Sequence, residues 1–153
     1  MAVTPNTTFS AGAIFTATQA NRFPRGLMAT PATSTTTDST ITAEEVQLTY
    51  VFSAVNGRNY LLTYSEPSIS STVNSTVTAR LRESSLVGTN INSTQLYSVS
   101  GFSGQVVMQT MYTATASGSL TIVATLQSSA GTATATRLSS RFPELYAIDM
   151  GAN

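Results

Sequence analysis

From Val46 to Met150 the large apolar residues recur mostly at every second position, and this period of two constrains the fold more than any other feature of the chain. A pleated strand turns successive side chains to opposite faces, so such runs can bury one face and leave the other wet. Val46, Leu48, Tyr50 and Phe52 share one face, against Glu45, Gln47, Thr49 and Val51 on the other. Tyr60, Leu62 and Tyr64 repeat the pattern after Asn56-Gly57, a dipeptide suited to a tight turn, so this stretch predicts a hairpin. Val73, Val77, Ala79 and Leu81 then oppose Thr76, Thr78, Arg80 and Arg82. A shorter run covers Leu96 to Val99, and Gly101 and Gly104 bracket a turn before Val106, Met108, Thr110, Tyr112 and Ala114. Gly118 ends that run, Leu120, Ile122, Ala124 and Leu126 form the next, and Thr132 to Arg137 and Leu145 to Met150 complete the series. With a first strand near Leu27 to Ala32, about eight or nine strands result. Turn signals every ten residues or so, without βαβ spacing or a long helical period, predict an all-β antiparallel β-sandwich, jelly-roll-like, of about eight strands.

One segment departs from the alternation. Between Phe15 and Pro24, Thr16 and Gln19 have the spacing of a capping box, and Pro24 stops the helix near Arg22, because the residue before proline avoids the α region. About two turns are marginal alone, so the helix must dock on its own sandwich or on a neighbouring subunit. Ahead of it, residues 1–14 hold only Val3, Phe9 and Ile14 as large apolar anchors, which suits an extended arm. The expected organisation is an attachment segment, residues 1–26, carrying arm and helix, and a β-sandwich domain, residues 27–153.

Composition narrows the chemistry. The chain has 153 residues, 27 of them Thr and 21 Ser, and no Lys, His, Cys or Trp. Thr is comfortable on a pleated surface, so the hydroxyl excess is largely strand face. Without His or Cys there is no Ser-His-Asp or Cys-His nucleophile and no tetrahedral zinc site, and without Lys no Schiff base or P-loop clamp. Seven arginines against seven carboxylates give zero net charge, hence no field to hold a nucleic acid or an anionic membrane. The first residues lack the basic-then-apolar pattern of a signal peptide, and no apolar run approaches the ~18 residues of a membrane span, so a chain made in a cytoplasm and remaining soluble is expected.

The remaining chemistry is a carboxylate pair. Glu44 and Glu45 are adjacent and point to opposite strand faces, so they cannot cooperate, whereas Glu66 with Glu83 is a pair only the fold could assemble. No Asp-x-Asp-x-Asp cluster marks a calcium site. No enzyme activity, cofactor or metal is therefore expected. Arg80 and Arg82 share a strand face and are read as exposed side chains paired with Glu, while Arg22 and Arg25, flanking Pro24, suit either simple exposure or a subunit contact. Tyr50, Tyr60, Tyr64, Tyr97, Tyr112 and Tyr146 could form a carbohydrate platform, but most fall in phase with Leu and Val and are read as packing. The Asn-x-Ser/Thr triplets at Asn6, Asn74 and Asn92 are what so much Ser and Thr produces by chance.

The block Ser10-Ala11-Gly12-Ala13-Ile14-Phe15-Thr16-Ala17-Thr18-Gln19-Ala20-Asn21, followed by Phe23-Pro24-Arg25-Gly26, resembles the N-terminal signature of small structural proteins of tailed bacteriophage virions. The stretch from Ser129 to Arg137 and the ending Tyr146-Ala147-Ile148-Asp149-Met150-Gly151 are similar to the same group. The resemblance implies a β-sandwich, commonly trimeric, that attaches to the particle. The expected function is that of a non-enzymatic virion structural protein, a capsid decoration or head-fibre protein bound as a homotrimer to the major capsid protein or another virion protein. The alternative is a tail-fibre or minor tail module recognising host surface glycan. Phe9, Ile14, Phe15, Arg22, Phe23 and Arg25 are the candidate virion or subunit contacts.

Overall fold

The computed structural model of the chain describes Gly12 and residues 14–152. Among these residues the alternation becomes antiparallel strands β1 (Gly26–Leu27), β2 (Ala32–Thr33), β3 (Asp38–Ile41), β4 (Glu45–Ala54), β5 (Arg58–Ser71), β6 (Ser75–Glu83), β7 (Asn90–Ser98), β8 (Ser103–Thr113), β9 (Gly118–Ser128), β10 (Ala133–Ala135) and β11 (Glu144–Ala152). One sheet runs β1-β11-β5-β10-β3, with β2 also on β11 and β8 on β5; the other runs β4-β9-β6-β7. The long β5 carries β8 along one edge, and β11 followed by β10 along the other. Beyond these, β1 and β2 line β11 while β3 lines β10. Thus β1 to β3 act as one interrupted strand, and β10 with β11 as another. Counted so, the eight strands stand 1-8-3-6 and 2-7-4-5, the double Greek key order of a jelly roll.

The two inner faces form the core. Tyr60, Leu62, Tyr64 and Ile69 of β5, Val77, Ala79 and Leu81 of β6, Ile122, Ala124 and Leu126 of β9, and Leu145 and Ala147 of β11 are all fully buried. Phe52 of β4 meets Tyr60 edge-on, ring centres 5.0 Å apart, joining the sheets. Removing such area from water, at about 25 cal/mol per Å², is what holds the sheets together.

The structure corrects four expectations. Asn56-Gly57 does make a tight turn, with Gly57 at φ +76° and the Arg58 N–H donating to Val55 O at 3.1 Å, but β4 and β5 do not pair. The turn is an arch between sheets, because β8 and β11 already occupy both edges of β5. Secondly, Val46 faces solvent and Gln47 is buried, because a bulge between Val46 and Leu48 shifts the phase of β4; Val73 likewise lies exposed in the turn before β6. Thirdly, the strand expected near Leu27 to Ala32 is broken around Pro31, which offers no N–H to a ladder, and β3 follows unforeseen. Thr16 and Gln19 do form the capping box, but α1 (Ala17–Ala20) is a single turn rather than two.

Candidate functional site

Arg58 begins β5 in the inward phase of Tyr60 and Leu62, and its side chain is 3% exposed. Its Nε and Nη2 donate to the two carboxylate oxygens of Asp149 at 2.7 and 2.8 Å. Nη2 also donates to Phe23 O at 2.6 Å, and Nη1 donates to Asn21 O. Asn21 caps α1, so the guanidinium satisfies carbonyls that a helix end leaves open, a use for its planar fork. Asp149 Oδ1 also accepts the Gly151 N–H at 2.7 Å. Gly151 sits at φ +108°, and a Cβ there would lie 2.5 Å from Arg22 O, so only glycine lets residues 22–24 lie this close. The clamp fixes the point from which the N-terminal segment leaves the sandwich. Just outside it, Phe15 stacks on Phe23 with ring centres 5.5 Å apart, and Ile14 is 88% exposed.

The same corner leads onto an apolar sheet face. Leu27 pairs with Ile148, Ile148 with Leu61, and Leu61 with Met111, so one row of large aliphatic side chains crosses four strands. Leu61 and Ile148 are half-buried and alternate with buried residues, and Leu27 and Met111, each more than half exposed, alternate with half-buried ones, so the row lies on the outer face. At ~4.8 Å per strand the row is about 14 Å wide. Beside it a groove of about 500 Å³ is lined by Gly26, Leu27, Pro31, Glu144, Tyr146 and Ile148.

Several of the other charges are spent on structure. Arg137 and Glu66 form a buried pair at 2.6 Å, with Gln47, Thr36 O and Tyr64 as further partners. Glu83 contacts Tyr112, whose hydroxyl burial and Glu83 push up to about 12, so Glu66 and Glu83 have separate partners. Glu45 lies beside Asp38, and burial and that neighbour push its carboxyl above the ordinary range. Burial opposes the Asp38 charge, but hydrogen bonds from Gln47 and Thr40 outweigh it and hold Asp38 below its ordinary value.

Glu44, on the opposite side from Glu45, accepts a forked bond from Arg82 at 2.6 and 2.9 Å, a bond from Thr125 at 2.7 Å, and an ion pair from Arg80 at 3.2 Å. The Arg82 fork, outweighing burial and helped by Thr125 and Arg80, holds its carboxyl down from 4.5 to about 2. A carboxyl depressed on folding stabilises above its unfolded value and stops doing so as pH falls through the folded one. Glu44→Gln is therefore expected to cost about 1 kcal/mol at pH 7. The difference in Tm from the parent protein should close as pH falls from 4.5 to about 2 in a calorimetric series. A difference that persists at pH 2 would mean that packing rather than charge explains it.

Of the residues picked out from sequence, Phe9 lies outside the described residues. Ile14, Phe15, Arg22, Phe23 and Arg25 are all exposed at the clamp corner, and Phe15 and Phe23 are brought into contact. Arg80 and Arg82 pair with Glu44 as expected, but they are half-buried rather than exposed, their side chains 21% and 18% accessible. Tyr50, Tyr60 and Tyr64 are core residues, Tyr112 and Tyr146 are half-buried, and Tyr97 stands out at 64% exposed. Sequence reasoning considers Glu66 only as a partner for Glu83 and singles out none of Arg58, Arg137 and Asp149, although each falls in the phase of buried neighbours: Arg58 and Glu66 with Tyr60 to Tyr64, Arg137 with Ala133 and Ala135, Asp149 with Leu145 and Ala147.

No helix among the described residues is long and apolar enough to cross a membrane. No protein-family model and no curated protein matches the chain. Among solved structures it is similar to one described as CBM4, with a TM-score of 0.40 and 11% identity over 67% of this chain and 59% of that one. It is also similar to the structure of infectious bursal disease virus Gx strain, with a TM-score of 0.29 and 11% identity over 82% of this chain and 38% of that one. The chain thus spans less than two thirds of the length of either.

Proposed function

We propose that the chain is a non-enzymatic structural protein of a tailed bacteriophage virion, a capsid decoration or head-fibre protein that binds the particle as a homotrimer. The observation that carries this reading is the apolar outer surface: the row Leu27, Ile148, Leu61 and Met111, exposed at both ends and half-buried between, and the exposed Phe15–Phe23 stack on the segment that runs beside β11. Soluble monomers rarely leave large apolar patches in water unless a partner covers them. In this reading the sheet face contacts a second copy, and Ile14, Phe15 and Phe23 lead the arm onto the major capsid protein. The protein then stabilises the shell by burying area between capsomers. The resemblance of the block from Ser10 to Gly26 to virion proteins supports the same division of labour.

The test is deletion of residues 1–15, which keeps the Thr16 cap and the Asn21 and Phe23 carbonyls that Arg58 holds. The shortened chain is expected to fold with a Tm within about 2 °C of the full chain and to add no longer to purified particles, since exposed termini contribute little to domain stability. Undiminished addition would overturn the reading. Copy number separates the locations: on the order of hundreds per particle means the head, a few to tens the tail, as closed symmetric assemblies dictate.

A further inference from the structure

From Ser84 to Thr136 the chain runs for 53 residues without a charged side chain or a proline. Strands β7 to β10 fall in this stretch. β9 and β10 have a strand on each side, but β7 and β8 end their sheets: among the described residues β8 pairs only with β5, and β7 only with β6. An edge strand offers a row of unpaired N–H and C=O groups, and proteins ordinarily guard it with charges, proline or a bulge. The opposite edges are guarded so: β4 carries Glu45 and a bulge, and β1 to β3 are broken around Pro31. β8 is eleven residues long and has no such guard; the irregularity in its pairing, between Glu66 and Ile69, lies on β5.

The ladder fixes which groups of β8 face outward. Ala114, directly after the strand, donates its N–H to Arg58 O at 3.0 Å and accepts the Gly57 N–H at 2.8 Å. Both main-chain groups of a residue point to the same side of an antiparallel strand, and that side alternates along the chain. Even-numbered residues of β8 therefore bond to β5, while Gln105, Val107, Gln109, Met111 and Thr113 turn their N–H and C=O to the open edge. The side chains of these same five residues are all exposed, on the outer face of the sheet.

Their order selects the occupant of the edge. Polar, apolar, polar, apolar, polar, the five are symmetrical about Gln109. A second β8 laid antiparallel, with its own Gln109 opposite, sets Val107 of each copy against Met111 of the other and Gln105 of each against Thr113 of the other. Odd residues meet odd and even meet even, so the inner and outer faces stay in phase. A two-fold axis on Met108 would instead set Val107 against Gln109 and Gln105 against Met111, an aliphatic side chain against an amide each time. Neither copy has a charge in the strand, so no like charges meet, whereas most edges forbid self-pairing by charge. Nine residues of each copy give a seam about 30 Å long with about ten main-chain hydrogen bonds. The aliphatic row from Leu27 to Met111 then continues onto Val107 of the second copy. The edge of β7 lacks this symmetry, exposing Ser93, Gln95 and Tyr97. We infer that β8 pairs with β8 of a second copy about a two-fold axis at Gln109, joining two sheets into one. The inference goes beyond the virion reading: it uses the edge of the sheet where that reading uses its face, and with a trimer it links one trimer to the next.

The experiment is light scattering of the full chain and its variants at about 1 to 100 µM, where interfaces of modest size dissociate. The parent protein should have the mass of an even number of chains: two where the edge is the sole contact, six where the sheet face also forms a trimer. Gln109 is exposed and its amide reaches only Thr63 Oγ1, at 3.4 Å, so replacing it spares the fold. Gln109→Lys sets two like charges directly across the axis, with Cα atoms about 5.5 Å apart, and should halve the mass, raising Kd about tenfold or more. Gln109→Glu should do the same. An equimolar mixture of the two variants should regain the parent mass, because opposite charges then face each other; only self-pairing at this residue gives that result. A single-chain or odd-numbered mass for the parent at about 100 µM, a mass unmoved by Gln109→Lys, or a mixture that stays at the halved mass overturns the inference. So does loss of the even mass in the chain lacking residues 1–15, which would make the arm of a second copy the occupant of the edge. The halving is the same from six chains to three or from two to one, so the seam is read independently of the trimer and of particle addition.

Discussion

Replacing Arg137 by methionine is expected to lower the unfolding free energy by about 3 to 5 kcal/mol, because it strands a buried carboxylate. Glu66 is completely buried, and Arg137 meets it through Nη2 at 2.6 Å and Nε at 3.4 Å. The same guanidinium donates to Gln47 Oε1 at 2.5 Å and to Thr36 O at 3.3 Å, so it joins β5 to β4 of the opposite sheet and to the loop before β3. Burial, with Glu66 beside it, pushes the Tyr64 hydroxyl well up, so Tyr64 stays a neutral donor to Glu66 at 3.2 Å and cannot replace the lost cation. At about 2 to 4 °C per kcal/mol for a domain of this size, Tm should fall by roughly 6 to 20 °C. Pairing the change with Glu66→Gln should recover part of the loss, since the second substitution removes the stranded charge, and the double-mutant cycle measures the coupling. A loss under about 1 kcal/mol for Arg137→Met alone would show that water reaches Glu66 and that the network is not sealed.

That network also marks where sequence reasoning stops. The jelly roll is readable because its core obeys the period of two: Val77, Ala79 and Leu81, or Ile122, Ala124 and Leu126, fall inward as their spacing demands. Pairing is a different matter. Asn56-Gly57 specifies a turn, yet whether the flanking strands join or cross is decided by β8 and β11 taking both edges of β5, a long-range event. Val46 was placed inward and lies outward because the bulge at Gln47 serves Arg137, ninety residues away, and nothing local encodes that demand. The charges were partly legible. Arg58, Glu66, Arg137 and Asp149 occupy inward phases, two of each sign, and buried charges must be paired. Phase alone would have marked all four for burial, but not who pairs with whom. At the corner, the capping box and the exposed aromatics were legible, whereas the guanidinium that ties them down requires Asn21, Phe23, Arg58 and Asp149 to meet across the fold.

Arg58→Ala should cost a similar amount, about 3 to 5 kcal/mol, since it leaves Asp149 buried without its cation. Its distinguishing effect is local. With the clamp gone, the carbonyls of Asn21 and Phe23 lose their donor and residues 14–24 are released from Gly151. Trypsin reads this directly, because the chain has no Lys and its seven arginines differ in access. Arg58 and Arg137 are buried and Arg80 and Arg82 are tied to Glu44, which leaves Arg22, Arg25 and Arg141 as the exposed sites. In the parent protein these three should be cut at comparable rates. Arg58→Ala should speed cutting after Arg22 and Arg25 by about tenfold relative to Arg141, as local opening becomes cheaper than global unfolding. Arg137→Met, equally destabilising, should do the reverse, loosening the Leu138 to Arg141 turn while leaving the clamp intact. The two variants thus form each other's control. If both accelerate all three sites alike, the loss is global and the clamp holds nothing in particular. If the patterns are opposite, and Arg58→Ala alone abolishes particle addition below its Tm, then attachment depends on the direction in which the arm leaves the sandwich, and Arg58 sets that direction.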